Sequence, residues 1–585
     1  MKNSTILSCP AALLLACCVT RLSLPAQTTR SFTLRPAPGK AVIAPGRTVT
    51  NGWLYNKKLP GPLIRVREGD RVRVKVFNDL AEPTTVHWHG LPVDLKADGV
   101  PGVSQGLIGV GQEYDYEFLA KRPGTYWYHP HIDLQIDRGL VGALIVDPKN
   151  SKADPPYDRE YLLLVDDWLP GAPVAGRDPV YTDYLINGKT SAGQTPMLVK
   201  KGETVRLRIL NVSGATAYAF TVDGHTMRVT HADGQPLFPV TTKAIPIGPG
   251  ERYDVYVTAN NPGKWSIAFA NLLDRSRTLV RAVLAYASAT GNVPPPNYVP
   301  VALRTAPLLT YAQLKNKGTG GGLFARPTRT YDLSFTMGGM FRYVWMINGQ
   351  AFPNASPIPV SYMDKVRFRA FNRTMMYHPM HLHGHFMRVH GSAGGTTAPL
   401  VKDTVLVPPG SMIFPGRLDV DFLADNPGNW AYHCHQIYHM GAGMMRLVEY
   451  VGRDGDGDGL ADGKDFSPAS AYPVTWTEGL GGKFAVGSRV RLVAQWKPGE
   501  QVFWFVGLPL AQGLSLGSLG VLGIRPPLLY LGRTGTTARN VATIDLPIPG
   551  DPSLKGGRLG IQALATQASL KPGLRLSTRS YLTLR

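Results

Sequence analysis

Ten of the 14 histidines in this 585-residue chain fall in four short stretches. They read "HWHG" (His87, His89), "HPH" (His129, His131), "HPMHLH" (His378, His381, His383) and "HCHQIYH" (His433, His435, His439). The last stretch also holds Cys434, one of only four cysteines. On an extended strand, residues i and i+2 face one side and i+1 the other. Each His-x-His therefore aims two imidazoles at one place, and four such pairs offer eight ligands. Cys434 points the opposite way, toward a second place. Its thiolate, with His378, His439 and a weak axial thioether from Met444, makes a two-histidine, one-cysteine set that suits copper. The flanking His433 and His435 join the two places covalently, a short bonded route for an electron. Zinc, the competing metal, prefers closed four-ligand sites and fits this array less well.

Two repeats identify the elements that must carry these ligands. "VREGDRVRVKVFND" (66–79), "VKKGETVRLRILNV" (199–212) and "VSYMDKVRFRAFNR" (360–373) alternate apolar and basic residues and end on Asn78, Asn211 or Asn372. That alternation predicts a strand with one buried face. "ING" precedes the second and third copies, at residues 186–188 and 347–349. The closing repeat reads "PGTYWYHPH" (123–131), "PGKWSIAFA" (262–270) and "PGNWAYHCH" (427–435). The first and third copies end His-x-His; the second has Ala268-Phe269-Ala270 there. An all-β chain of three related β-sandwich units is expected, at 30–150, 155–290 and 325–452, with ligands in the outer two. The proline-rich stretch around 294–300 reads as a linker.

Past residue 452 the character changes. "DGDGDGLADGKD" (454–465) places Asp454, Asp456, Asp458, Asp462 and Asp465 at the spacing of a Ca2+ loop, with Asp replacing the usual final Glu. It lies in a linker at 453–466, ahead of an accessory β-rich domain at 470–585 with neither histidine nor cysteine. At the other end, "AALLLACCV" (11–19) reads as the apolar core of an export signal covering 1–26. "LLAC" alternatively resembles a lipobox that would leave a lipid anchor on Cys17. Cleavage leaves Cys434 as the cysteine of the fold, so no disulfide is expected although the destination is periplasmic, outer-membrane-associated or extracellular. No apolar run approaches the ~20 residues needed to span a bilayer. The net charge of +21 is spread along the chain rather than clustered, which argues against a nucleic-acid partner.

The four histidine motifs, over roughly residues 40–450, resemble those of the multicopper oxidases: laccases, cuprous oxidases and bacterial copper-resistance oxidases. The resemblance implies three cupredoxin-like Greek-key domains and four copper ions. Type 1 copper would take His378, Cys434, His439 and Met444, and type 2 copper His87 and His381. One type 3 copper would take His89, His129 and His435, and the other His131, His383 and His433. This trinuclear cluster would lie between units one and three, with unit two as a spacer. The implied activity is one-electron oxidation of phenolic or aromatic substrates, or of Cu(I), coupled to reduction of O2 to water. Cys434 and His439 would carry the electron. Asp98, in "KADGVPG", matches an acid that assists proton delivery near the type 2 copper. Several relatives carry another acid directly after the last type 1 histidine; here that position is Met440, and the sequence identifies no second relay carboxylate.

Two other readings remain. A two-copper nitrite reductase shares the sandwich units but lacks the full paired-histidine array. A periplasmic copper-resistance protein could act mainly as a cuprous oxidase, or bind and sequester copper, although sequestration has no need of a His-Cys-His bridge. His225, His231, His385 and His390 are read as turn, packing or supporting residues rather than ligands. Twelve of the 15 methionines lie between Met337 and Met445. "TMGGMFRYVWM" (336–346) resembles a segment of the copper-resistance oxidases, and thioethers favour Cu(I).

Overall fold

In the second repeat the alternating run folds as strand Thr204–Asn211, central in a six-stranded sheet, and in the third as Lys365–Asn372, also central in a six-stranded sheet. A computed structural model describes residues 28–451 apart from 170, 319–323, 339–342 and 393–399, together with the backbone of strands between 475 and 584. The segment 1–26 with Cys17, Met340 and the aspartates at 454–465 lie outside the described residues. The fold is all-β, as expected. The second and third units share one strand order. Each pairs its six-stranded sheet with a five-stranded sheet whose central strand is the closing repeat, Lys264–Asn271 or Asn429–Cys434. The first unit builds smaller sheets around Arg71–Phe77 and Gly124–His129. Apolar side chains on the inner faces, such as Val205, Leu207 and Ile209 or Val366, Phe368 and Ala370, make one continuous core across the second and third units. Further strands from Thr475–Thr477 to Ser580–Leu584 form two more sheets.

The three repeated asparagines do the same work in each unit. All are fully buried. Asn372 donates through Nδ2 to Met376 O (2.7 Å) and Pro408 O (2.8 Å), while its Oδ1 accepts from Thr374 N (2.9 Å). Asn211 bonds Thr216 O, Ile247 O and Ser213 N in the same way, and Asn78 bonds Glu82 O, Ile108 O and Leu80 N. Each side chain thus satisfies a turn that would otherwise bury unpaired backbone groups. Each turn leads into the strand that carries ligands in units one and three.

Candidate metal centre

Register places the motifs opposite one another. Strand His87–His89 pairs antiparallel with Gly124–His129 so that His87 faces His129. Strand His378–Leu382 pairs with Asn429–Cys434 so that His381 faces His433 and Met380 faces Cys434. The equivalent pairs in the second unit are Thr221 with Ala268 and Phe220 with Phe269, which hold no ligand. The same fold therefore carries Thr, Ala and Phe side chains at the positions that hold His, Met and Cys in the third unit.

The eight paired histidines converge between the first and third units, all buried. Their ring nitrogens fall into three groups: His87, His89 and His381; His89, His129 and His435; and His131, His383 and His433. Hydrogen bonds fix which nitrogen faces inward. His87 Nδ1 donates to Asp98 O (2.7 Å), His129 Nδ1 to Pro130 O (2.8 Å), His381 Nδ1 to Asp403 O (2.9 Å) and His433 Nδ1 to Cys434 O (2.9 Å). A carbonyl only accepts, so each of these rings turns its Nε2 lone pair inward. His383 Nδ1 sits 2.9 Å from an Asp98 carboxylate oxygen, with the same result. His89 is reversed: its Nε2 lies 3.0 Å from Thr404 Oγ1 and 3.2 Å from Asp403 Oδ1, leaving Nδ1 to face inward.

The arrangement fits a cation. His383 Nε2 and His433 Nε2 are 3.0 Å apart, lone pair to lone pair. The buried inward nitrogens of His87, His89, His129 and His381, and both nitrogens of His435, have no hydrogen-bond partner among the described residues. Orphaned buried acceptors cost free energy unless something satisfies them. Protonation is opposed: burial first, then the neighbouring imidazoles, hold His89, His131, His381 and His383 well below the ordinary histidine pKa. Burial lowers His433 to about 4. Neutral imidazoles with converging lone pairs are the donor set of a late transition metal.

The outer supports have a pseudo-twofold pattern. Asp98 takes His87 of its own unit on its backbone oxygen and His383 of the third unit on its carboxylate. Asp403 takes His381 of its own unit on its backbone oxygen and His89 of the first unit on its carboxylate. Each aspartate therefore couples one histidine from either side of the interface. Such outer hydrogen bonds set the tautomer and aim of a ligand.

The second place is equally buried. Cys434 Sγ lies 3.6 Å from His378 Nδ1 and 3.8 Å from His439 Nδ1, and the two Nδ1 atoms are 3.2 Å apart. His378 Nε2 is held by Thr374 Oγ1 (2.8 Å), on the turn that Asn372 closes. His439 stands in the short helix Ile437–Gly441, capped by Gln436, whose Oε1 accepts His439 N at 2.8 Å. Trp345 packs on the His439 ring with centroids 3.7 Å apart. Met444 is buried in the same core, and its backbone oxygen accepts Cys434 N at 3.0 Å. Burial pushes the Cys434 thiol up, so its thiolate needs a cation beside it.

Stretches 39–151, 159–289 and 325–453 match the sequence models of multicopper oxidases. The multicopper oxidase MmcO of Mycobacterium tuberculosis is 35% identical, over 72% of this chain and 87% of that protein. The chain belongs to the multicopper oxidase family. Copper resistance protein A of Escherichia coli is 28% identical over 67% of this chain and 88% of its own length. A leucine-to-methionine mutant of the laccase from B. aclada superposes with a TM-score of 0.61 at 26% identity, over 72% of this chain and 88% of that one. Fet3p, described as a multicopper oxidase that functions in iron import, shares the fold at a TM-score of 0.63 and 23% identity, over 72% of this chain and 90% of that one. As a multicopper oxidase the chain is a copper oxidoreductase that uses O2 as acceptor.

Four other histidines are engaged elsewhere, in agreement with their reading. His385 lies between His383 O and Tyr450 OH, His390 beside Asp421, His225 between Asp223 O and Tyr286 OH, and His231 beside Asp154. Sequence reasoning missed Asp403, Thr374, Trp345 and two residues of the second unit, Arg252 and Asp178. The signal available for Asp403 was a charged pair, Lys402-Asp403, inside the otherwise apolar strand run "LVKDTVLV". Asp178 carried no signal; it lies far in sequence from every histidine motif yet sits 3.2 Å from His439 Nε2.

Proposed function

We propose that this multicopper oxidase oxidises small phenolic and aromatic molecules at the edge of His439. His378, Cys434, His439 and Met444 would hold type 1 copper and His87 and His381 type 2 copper. His89, His129 and His435 would hold one type 3 copper, and His131, His383 and His433 the other, four ions in all. Bound copper supplies one-electron oxidation of the reductant at the first site and four-electron, four-proton reduction of O2 to two waters at the second. The chain joins the two sites by the single peptide links from Cys434 to His433 and His435. Asp98, buried against His87 and His383, has no Lys or Arg partner among the described residues, and we assign to it the delivery of protons.

The observation that carries the substrate reading is a groove of about 330 Å³ lined by Asp178, Tyr181, Tyr184, Leu272, Tyr377 and Gln436, of which Asp178 and Gln436 also contact the buried His439. Aromatic walls stack with an aromatic guest, and a carboxylate at one end accepts its hydroxyl hydrogen bond. Copper-loaded protein should consume O2 when given a substituted phenol, and none when given the phenol after copper removal. A loaded enzyme inert to every phenol would overturn the reading. Cu(I) oxidation is the second reading. It is favoured by Met375, which is 80% exposed next to the groove residue Met376. Met380 is fully buried and unavailable for docking.

Two further readings come from sequence alone. We propose that the chain is exported, which the mature N-terminus and any lipid on Cys17 would reveal by mass spectrometry. We also propose Ca2+ binding by Asp454, Asp456, Asp458, Asp462 and Asp465; a full-length chain that binds no Ca2+ at millimolar concentration in calorimetry would refute it.

A further inference from the structure

Among the described residues, none of the metal-ligand groups draws on the second unit, yet one of its side chains reaches the ligand shell. Arg252 is 1% exposed and forks onto Asp403 through two bonds of 2.6 and 2.7 Å. Its Nε donates to Thr125 O (3.1 Å) in the first unit, and one terminal nitrogen donates to Gly250 O (3.1 Å) in its own. A single guanidinium thus touches all three units. Its backbone N–H is held by Asp233 (2.9 Å), which also meets Lys402 Nζ (3.1 Å). Two glycines make room. A side chain at Gly90 (φ +84°) would run into the Arg252 guanidinium and the Asp403 carboxylate, and one at Gly250 (φ +88°) would press on His89 and His435.

Asp403 is the third unit's counterpart of Asp98, and the two differ in one respect. A guanidinium clamps Asp403, whereas no cationic side chain pairs with Asp98 among the described residues. We propose that Arg252 is a positioning residue that holds Asp403 in the outer layer of the cluster, where it orients His89 and His381. Without the fork, the Asp403 carboxylate would be free to turn away from His89. A bidentate guanidinium occupies both oxygens in a fixed plane, which a lysine ammonium does not. The central unit is then more than a spacer: it completes the ligand shell of its neighbours.

The test uses the full-length, copper-loaded chain with Arg252→Gln and Arg252→Lys. Copper retained against a competing chelator and the type 2 electron paramagnetic resonance signal report the cluster, and the blue absorption of the type 1 site reports folding. Loss of an outer-layer partner lowers metal affinity by roughly 10–100-fold. Arg252→Gln is expected to show that loss with altered type 2 hyperfine splitting and an intact blue band, and Arg252→Lys a smaller loss. In an Asp403→Asn background, Arg252→Gln should add nothing. Unchanged affinity and splitting, additive losses in the double variant, or equal loss of blue band and cluster copper in both substitutions would each overturn the proposal. The inference rests on the ligand assignment above; failure of that assignment would appear in the unsubstituted protein as a missing type 2 signal.

Discussion

Asp178 Oδ1 lies 3.2 Å from His439 Nε2, although the two residues belong to different units. The same oxygen accepts from Tyr343 OH (2.7 Å) and Gln436 Nε2 (3.0 Å). Burial alone would raise the Asp178 pKa, but the bonds from His439 and Tyr343 outweigh it and hold the carboxyl at about 2. It is therefore an anion at working pH, beside the His439 edge proposed above as the entry point for electrons. Asp178→Asn should raise KM for phenols about tenfold, the value of one charge-assisted hydrogen bond, and keep the blue absorption. KM values unchanged across a phenol series would remove the groove from the substrate path.

Cys434→Ser should abolish the intense blue absorption and the oxidase activity. Serine is a poor copper ligand, and the thiolate-to-copper transition disappears with the sulfur. The eight cluster histidines remain, so most of the other copper should stay bound when measured by mass spectrometry. A blue, active variant would sink the assignment.

The repeats were readable because they follow from strand geometry. The alternation in 66–79 and 360–373 and the His-x-His spacing fix which side chains share a face, and the structure has them so; in 199–212 the expected single buried face is wrong, because Arg206 and Arg208 are buried as well, paired with Asp254. The outer layer was not readable. Asp403 reaches His89 across an interface, and Arg252 reaches Asp403 from the second unit, with sequence separations of 314 and 151 residues respectively. Contacts of that kind depend on how the units dock, which no local pattern encodes. Asn372 lies between these cases: its repetition was visible, its purpose was not.

Asn372→Ala removes the acceptor for Thr374 N and the donor to Met376 O and Pro408 O, all in a buried turn. About 2–3 kcal/mol of stability should be lost. Asn78→Ala and Asn211→Ala should cost about as much. Only Asn372→Ala should also perturb the blue absorption, because Thr374 positions His378. If all three variants leave the blue band equally untouched in denaturant-free solution, the turn does not govern the type 1 site.

Asp254 offers a test by pH. It is fully buried, with Arg206 at 2.6 Å, Arg208 at 3.2 Å and Thr125 of the first unit at 2.8 Å. Burial raises its pKa, and the two arginines overcome this and lower it from 3.8 to about 2. A depressed folded-state pKa means stability that is fully present above about pH 4 and lost as pH falls through about 2. Asp254→Asn leaves both arginines short of a counter-charge and should cost about 3–5 kcal/mol at neutral pH. Thermal unfolding of the metal-free proteins should show that gap narrowing between pH 4 and pH 2. A gap that stays constant would mean the carboxylate charge is not what holds the interface.

The last prediction separates the two electron donors. Strand Arg329–Gly338 pairs with Val344–Ile347, which sets Met337 opposite Trp345 and Thr336 opposite Met346. Trp345 is the residue that packs on His439, and Met337 is 52% exposed. The hairpin thus links an accessible thioether to His439, the proposed type 1 ligand, through one cross-strand pair. Thioether sulfur is a soft donor that favours Cu(I) over phenols. Replacing Met337, Met340 and Met346 together by Leu keeps side-chain volume nearly constant. Cu(I)-dependent O2 uptake should fall several-fold while oxidation of phenolic dyes is spared. Equal loss of both activities, or loss of neither, would assign these methionines to packing and leave the aromatic groove at Asp178 as the entry point for electrons.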